Sequence, residues 1–191
     1  MRNGLVLLAV LFWTAACLGG TVLDVRDFGA VGDGVADDFA AIQRTLDRAE
    51  AHYRTEISRF ASKGVDGLGT PEVRFPAGTY RISRPLLAQH TVTLVGEPGS
   101  TVALDDGVEV GLYLENAFRC TVRGLGFRGG VTHVCFWTAN ADTAAILIEG
   151  CVFEGAEKEA VWTEAWRDKA WDRSGTCRSS RTNCTTSDPT M

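Results

Sequence analysis

Short runs of alternating apolar and polar residues dominate the chain from residue 72 onward. The runs are separated by turn-forming residues, and each is typical of a strand with one buried face. Their apolar positions are Val73 and Phe75, Tyr80 and Ile82, Val92 and Leu94, and Val102 and Leu104. Helical periodicity does not interrupt this pattern before Gly155. The sequence therefore predicts a domain built from many short strands.

One amphipathic helix precedes these strands. Apolar side chains spaced by threes and fours predict that it begins at Asp37 or Asp38 and ends near Ser58. Either aspartate can accept hydrogen bonds from the free amides of the first turn. A short strand from Thr21 to Asp27 and a glycine-rich turn are predicted before the helix. The apolar stripe of the helix consists of Phe39, Ile42, Leu46, Ala49 and Tyr53.

An eight-residue pattern recurs at a spacing of 26 residues. In both copies the order is apolar, charged, glycine, apolar, any residue, phenylalanine, charged, glycine. The copies span residues 122–129 and 148–155, and residues 94–96 match the start of the pattern upstream. At the same spacing, residues 134–136 correspond to 160–162. Such a repeat is typical of a stacked coil, because one unit cannot bury its apolar face alone.

In a stacked coil, equivalent residues of the two copies lie above one another. Inside, we expect Val122, Leu125 and Phe127 to stack on Ile148, Cys151 and Phe153, with Cys120 in step with Ile146. Outside, we expect opposite charges to attract modestly where Arg123 and Arg128 lie over Glu149 and Glu154. The predicted fold is an all-β, right-handed parallel β-helix with an N-terminal capping α-helix. An antiparallel sandwich is the alternative, but it explains only the alternation and not the recurring residue types.

The first 20 residues have the pattern of a secretory signal peptide. Arg2 is followed by an unbroken apolar run from Leu5 to Trp13 and then by small residues. The run is about half the length of a membrane-spanning helix. We therefore expect the mature chain to be secreted, periplasmic or on the cell surface. The small residues before Cys17 also resemble a lipoprotein processing box, so lipid anchoring at Cys17 is the less favoured alternative.

Charge and cysteine content narrow the classes of partner. The net charge of −5, spread along the chain, argues against nucleic acid, whose binders carry basic stripes. No second apolar stretch is long enough to span a membrane.

Cys120, Cys135 and Cys151 fall in apolar runs and are predicted to behave as small buried hydrophobes. Cys177 and Cys184 lie close together in the polar C-terminal segment and could pair. Metal-binding spacing of cysteine and histidine is missing from the sequence, which argues against structural zinc.

Two motifs resemble those of the pectate-lyase superfamily. The first, within residues 25–49, contains Asp-Phe-Gly-Ala, Gly-Asp-Gly, paired aspartates and Ala-Ile-Gln. The second, Val-Arg-Phe-Pro-Ala-Gly-Thr-Tyr at 73–80, is similar to the first coil of the pectate-lyase-like and rhamnogalacturonase/epimerase-like β-helices. The resemblance covers residues 23–163 and implies that the helix covers the open end of the coil. The glycines at 29, 32 and 34 could also suit a dinucleotide turn, but their order and the neighbouring acids argue against it.

The resemblance implies chemistry on uronate-containing polysaccharides such as pectin. The superfamily contains lyases, glycoside hydrolases, uronan epimerases and non-catalytic tailspikes, and the fold alone does not choose among them. Its lyases often use calcium, and its hydrolases use paired carboxylates. Two hypotheses follow: a polysaccharide lyase or hydrolase, with calcium if a lyase, and a non-catalytic module for polysaccharide binding, spike or adhesion. The oligomeric state is left open.

Six ionisable residues of the coils are candidates for a catalytic role: Asp105, Asp106, Asp142, Glu149, Glu154 and His133. Since none lies in a catalytic motif of the superfamily, we assign no catalytic residue, no cofactor site and no metal ligand. Asp105 and Asp106 precede a glycine and are most simply a turn. Asp142 lies in a predicted loop, and His133 is more typical of a surface or satisfied core residue.

Three regions are predicted: a signal peptide at 1–20, the cap and first coils at 21–165, and a polar, disordered tail at 166–191. Trp162, Trp166 and Trp171 could stack on sugars or cover a core. Because the repeat stops near residue 165, we expect either a small β-helix with a tail or the front part of a longer enzyme, cut or frame-shifted. The second is favoured, and such a truncated chain is expected to be inactive on its own.

Overall fold

The computed structural model describes residues 21–60, 70–138, 145–165, 169–171 and 177–179. Helix α1 spans Phe39–Phe60, and a short 3-10 helix spans Val25–Phe28. The first eight strands are β1 (Val22–Asp24), β2 (Asp33–Asp37), β3 (Glu72–Phe75), β4 (Gly78–Ile82), β5 (Leu86–Gln89), β6 (Thr93–Gly96), β7 (Ser100–Leu104) and β8 (Val110–Glu115). They are followed by β9 (Thr121–Arg123), β10 (Gly126–Arg128), β11 (Thr132–Thr138), β12 (Leu147–Glu149), β13 (Val152–Glu154), β14 (Glu159–Ala165), β15 (Lys169–Trp171) and β16 (Cys177–Ser179).

The strands build three sheets, and each full coil contributes one strand to every sheet in turn. Sheet A has the order β1-β3-β6-β9-β12, sheet B the order β2-β4-β7-β10-β13, and sheet C the order β5-β8-β11-β14. All pairs within these three sheets are parallel. The predicted right-handed parallel β-helix is confirmed. An antiparallel sandwich is excluded by the parallel pairing.

Apolar side chains stack in columns inside the coil. In sheet A, Val73 pairs with Leu94 and Leu94 pairs with Val122, and all three are buried. The predicted registers of the 26-residue repeat are confirmed, with Val122 opposite Ile148 and Phe127 opposite Phe153. The predicted outer pairs are confirmed as well, because Arg123 lies opposite Glu149 and Arg128 opposite Glu154. Burying such columns is the main force that holds stacked coils together.

The rung formed by β12 and β13 is less enclosed than the sequence predicts. Ile148, Cys151 and Phe153 are half-buried, although we expected them to lie inside the core. The reason is that β12 and β13 each pair with only one strand among the described residues. Leu147 and Val152 on the same rung are about half exposed.

In sheet C, the predicted correspondence of residues 134–136 with 160–162 is wrong by one residue. Val134 pairs with Val161, and Cys135 pairs with Trp162. The connection from sheet B to sheet C spans residues 129–131 in one coil but 155–158 in the next, which is one residue longer. Because side chains alternate along a strand, this slip exchanges inner and outer positions. Trp162 therefore lies on the outer face, at the position equivalent to Cys135.

Helix α1 covers the end of the coil next to β1, β3 and β5. Ile42, Leu46 and Ala49 are buried against the core, as predicted, whereas Phe39 and Tyr53 are half-buried. The apolar stripe of the helix therefore shields the interior columns from water at this end, and Gln43 of the helix hydrogen-bonds to the outer edge of β5.

The two aspartates before the helix accept hydrogen bonds from different parts of the backbone. The Asp37 carboxylate accepts a hydrogen bond from the Phe39 amide at 3.1 Å, so this residue provides the predicted cap. The buried Asp38 carboxylate turns the other way and accepts from the amides of Val31 at 2.6 Å and Gly32 at 3.0 Å. Asp38 therefore holds the glycine-rich loop against the start of α1.

The segment before the helix differs from the sequence expectation in two respects. Strand β1 ends at Asp24, not Asp27, because the Asp24 carboxylate accepts from the Arg26 amide at 2.8 Å and begins the 3-10 helix. The predicted turn contains strand β2, which joins sheet B beside β4. Asx turns are local contacts that an alternating pattern does not reveal.

Several predictions fall on residues outside the described ranges. These are the signal peptide, lipid anchoring at Cys17, and the roles of Asp142, Trp166 and Cys184. In the expected disordered tail, the structure places β15 antiparallel to β16, with Trp171 opposite Cys177, so at these six residues it differs from the expectation. For the rest of 166–191 disorder stays a prediction. In the described part of the chain, no helix has both the length and the apolar character needed to cross a membrane.

Candidate functional site

The outer face of sheet C concentrates aromatic and polar side chains. Leu112, Leu114 and Val134 point into the core, so the residues that alternate with them point outward. We call this outward surface the sheet C face. It comprises Leu87, Gln89, Tyr113, Glu115, Cys135, Trp137 and Trp162.

The sheet C face has two rows that cross the strands. In the first row, Leu87 pairs with Tyr113, Tyr113 with Cys135, and Cys135 with Trp162. Leu87, Tyr113 and Cys135 form, with Val110, a small apolar cluster separate from the main core. Tyr113 and Cys135 are buried, but Trp162 is 44% exposed. Solvent therefore reaches this row at the Trp162 side chain.

The second row is polar. Gln89 pairs with Glu115, and Glu115 pairs with Trp137. The Gln89 side-chain amide donates a hydrogen bond to the Glu115 carboxylate, and both side chains are partly exposed. Among the described residues, the Trp137 indole N–H is buried and has no hydrogen-bond partner. Its burial closes this donor to a ligand at the surface, so Gln89 and Glu115 are the groups of this row that a sugar could reach.

Strained backbone follows the ends of the strands in sheet C. Four non-glycine residues in the described ranges have positive φ angles: His90 at 59°, Asn116 at 49°, Arg119 at 56° and Ala145 at 56°. All four lie in the connections from sheet C to sheet A. Non-glycine residues in this region are unfavourable, and they cluster at sites where a fixed geometry is needed. The edge of the sheet C face is thus conformationally fixed.

These side chains have the chemistry of sugar recognition. An exposed indole offers a flat apolar surface with a polar edge. A carboxylate and an amide offer acceptors and donors at fixed positions, as hydroxyl groups require. The sheet C face therefore presents groups that suit a sugar polymer laid across neighbouring rungs, which are about 4.8 Å apart.

The predicted candidates Asp105 and Asp106 lie elsewhere. Arg81 donates two hydrogen bonds to the Asp105 carboxylate, from Nε to Oδ1 and from Nη2 to Oδ2, each 2.7 Å long. This contact raises the pKa of the Arg81 guanidinium. The Val108 amide donates to the Asp105 carbonyl at 3.1 Å, which is the predicted turn, and Asp106 is exposed in it. Asp105 is thus occupied by an ion pair between two coils.

The other predicted carboxylates do not gather into a site. Glu149 is exposed on the outside of sheet A, and Glu154 is exposed on the outside of sheet B. They therefore lie on two different sheets, each opposite an arginine of the neighbouring rung. Asp142 lies outside the described residues.

His133 is a core residue. It is fully buried and packs against both Phe127 and Phe153, with its ring centroid 6.1 and 5.7 Å from theirs. Its Nε2 lies 3.0 Å from the Gly129 carbonyl oxygen, and its Nδ1 has no hydrogen-bond partner among the described residues. Burial lowers the pKa of this imidazole and so favours the neutral form. A catalytic role for His133 is not supported by this enclosed position.

Metal binding was expected only as calcium in a lyase. Among the residues that the structure describes, no group of three or more histidine, cysteine, aspartate or glutamate side chains is placed to hold an ion. The described residues therefore do not fit a calcium site, and we route no chemistry through one. Cys120 is buried, and burial raises the pKa of its thiol to about 11, which makes it the inert hydrophobe predicted.

Sequence reasoning missed Gln89, Glu115 and Trp137. The signal was present, because Leu112 and Leu114 alternate with Tyr113 and Glu115 in β8. The sequence of β8 is mostly apolar, and all of its first five residues are buried. The alternation of inward apolar and outward polar residues is therefore hard to recognise in this strand.

A sequence profile described as rhamnogalacturonase A/epimerase, pectate lyase-like, matches residues 22–165. The mannuronan C5-epimerase AlgE4 of Azotobacter vinelandii is 41% identical over 86 residues, which are 44% of this chain and 11% of the epimerase. Plasmin and fibronectin-binding protein A of Streptococcus pneumoniae is 40% identical over 72 residues, which are 37% of this chain and 8% of that protein. The chain thus spans about a tenth of the length of these relatives.

Among solved structures, the A-module of the same epimerase AlgE4 of Azotobacter vinelandii superposes with a TM-score of 0.47 and 25% identity. The superposition covers 73% of this chain and 41% of the A-module.

Proposed function

The chain belongs to the rhamnogalacturonase A/epimerase, pectate lyase-like family, and from this premise we propose that it binds polysaccharide along the sheet C face. The observation that carries the proposal is the hydrogen-bonded pair of Gln89 and Glu115 on the same face as the exposed Trp162. Glycan recognition needs such a combination of an aromatic surface and fixed hydrogen-bonding groups.

The polymer we propose is rich in uronate. One support is the name of the relative AlgE4, an epimerase of mannuronan. A second is Arg119, an exposed cation in the connection that follows Glu115. A guanidinium can pair with a sugar carboxylate in a two-point contact, whereas Glu115 and Gln89 suit hydroxyl groups.

Recognition is better supported than catalysis for the described coils. Lyase and hydrolase mechanisms need two or more ionisable groups held together beside the sugar. Of the predicted candidates, Asp105 is engaged by Arg81, His133 is enclosed in the core, and the glutamates lie on two other sheets. The described residues therefore act, in this proposal, as a binding surface. The adhesin-like alternative shares this recognition role.

Affinity electrophoresis tests the proposal. The purified chain is run in gels that contain alginate, polygalacturonate or a neutral glucan. We expect the two uronate polymers to retard it more than the glucan does, because only they supply carboxylates. Trp162→Ala should reduce the retardation, whereas Leu147→Ala should not, since Leu147 is an equally exposed apolar residue on sheet A.

The same samples are then assayed for products. We expect no unsaturated uronate, no new reducing ends and no change in uronate composition, with or without calcium. Equal migration in all gels would contradict polysaccharide binding. Product formation by the described coils would contradict the purely recognition role, and Asp105 and Asp106 would then be the first residues to substitute.

A further inference from the structure

We infer that helix α1 is more than a cap: its residue Gln43 is a positioning residue that holds Gln89 in place on the sheet C face. The inference rests on the proposed function, because it concerns how the polysaccharide-binding surface is built. It links an element at the end of the coil to a side chain on its flank.

Gln43 in the helix forms two hydrogen bonds with the backbone of strand β5. Its Nε2 donates to the Leu87 carbonyl oxygen at 2.9 Å, and its Oε1 accepts from the Leu87 amide at 2.9 Å. Strand β5 is the outermost strand of sheet C and pairs only with β8 among the described strands. The side-chain amide of Gln43 therefore supplies the hydrogen bonds that a neighbouring strand would otherwise make.

The segment after β5 is held by the same helix. His90 adopts a φ of 59°, and its amide donates to the Glu115 carbonyl at 3.2 Å. Its Nδ1 lies 3.7 Å from the Glu50 carboxylate, and its ring lies 6.0 Å from that of Tyr53. Both Glu50 and Tyr53 belong to α1. A non-glycine residue keeps such a backbone conformation only where its surroundings fix it.

Gln89 lies between these two points of attachment. Leu87, two residues before it, is hydrogen-bonded to the helix, and the side chain of His90, the next residue, packs against the helix, so α1 contacts the chain on both sides of Gln89. That side chain donates to the Glu115 carboxylate and leaves its own amide oxygen as an acceptor. Small displacements of β5 would therefore change the hydrogen-bonding pattern that the polar row offers to a sugar.

Side-chain NMR of Gln89 tests the inference without any ligand. The Gln89 side-chain NH2 signals are assigned by their loss in Gln89→Met. In the parent chain they should show the downfield shift and slow exchange of an amide bonded to a carboxylate. Gln43→Ala should move them towards the values of a free amide. Asp47→Asn is the matched control, because Asp47 accepts only the second, intrahelical bond of the same Gln43 amide at 3.0 Å, and it should leave the signals in place.

Polysaccharide affinity supplies the second readout. Gln43→Ala should weaken uronate binding by about tenfold, the scale of one lost hydrogen bond, and Asp47→Asn should not. If Gln43→Ala does not fold, Gln43→Glu takes its place, since it keeps the acceptor for the Leu87 amide but loses the donor. Unchanged Gln89 signals in the folded variant would overturn the inference. Absence of binding by the parent would overturn the proposed function alone, since the NMR result needs no sugar.

Discussion

Phe127 and Phe153 lie in adjacent rungs of sheet B with their ring centroids 5.6 Å apart and their planes inclined by 16°. The two rings occupy equivalent positions of the 26-residue repeat. Offset contact between such rings contributes free energy beyond the burial of their area. The pair is therefore the physical counterpart of the sequence repeat and joins one coil to the next.

Replacement of Phe127 by alanine should destabilise the domain strongly. Phe127 is 2% exposed, so its removal leaves a cavity between two coils and should cost about 3–5 kcal/mol in free energy of unfolding. Phe153→Ala is the matched comparison and should cost less, because Phe153 is only half-buried. Urea unfolding followed by circular dichroism measures both. A larger loss for Phe153→Ala would contradict the position of these rings in the coil.

Replacement of Ile42 by aspartate tests the cap. Ile42 lies on the buried face of α1, so the substitution places an unpaired carboxylate against the core. It should lower the free energy of unfolding by roughly 3 kcal/mol or more. Ala51→Asp adds the same charge at an exposed position of the same helix and should have a much smaller effect. The urea midpoints of the two variants should differ clearly. Equal midpoints would show that the helix is not packed on the open end.

His133 should make the domain less stable at acidic pH. Burial lowers the pKa of His133 in the folded state below its ordinary 6.5, so the unfolded chain binds the proton more readily. The associated stability is present above pH 6.5. It is lost as the pH falls below that value and stops changing below the folded-state pKa. His133→Phe should remove this component from the pH profile of the urea midpoint. Parallel profiles for the parent and the variant between pH 4 and 8, roughly spanning this titration, would contradict the prediction.

Asp105 should act in stability and not in catalysis. Its ion pair with Arg81 is partly exposed, so Asp105→Asn should lower the urea midpoint only slightly. High salt should reduce the difference from the parent, because it screens exposed pairs. Asp106→Asn, one residue further along the turn, should have no effect. Retention of polysaccharide binding by both variants is expected, and loss of binding in Asp105→Asn alone would assign this residue to the site.

The interior of the coil could be predicted from the sequence, because stacking selects for residue type. Phenylalanine at 127 and 153 and glycine at 124 and 150 recur since each must fit the same space in consecutive rungs. The helix stripe was equally visible, because a single face is buried against a single surface. In both cases a local pattern determines the contact.

The sheet C face could not be predicted in the same way. Its registers join residues at unequal spacings, since Leu112 pairs with Val134 but Val134 pairs with Val161. The extra residue in the connection before β14 made the predicted register wrong. The contact of Gln43 with Leu87 joins a helix to a strand 44 residues away, and no periodicity marks it. Such contacts depend on the lengths of connections, which local patterns do not constrain.

The most direct measurement is an NMR titration of the indole N–H signals with a short oligo-uronate. Trp137 and Trp162 are assigned by substituting each with phenylalanine. If the sheet C face binds polysaccharide, the Trp162 signal should shift as its exposed ring stacks on a sugar, whereas the signal of the buried Trp137 N–H should shift much less. Backbone amides around Gln89 and Glu115 should shift with them. Saturable shifts confined to Arg128 and Glu154 on sheet B, with both indole signals unchanged, would contradict the account.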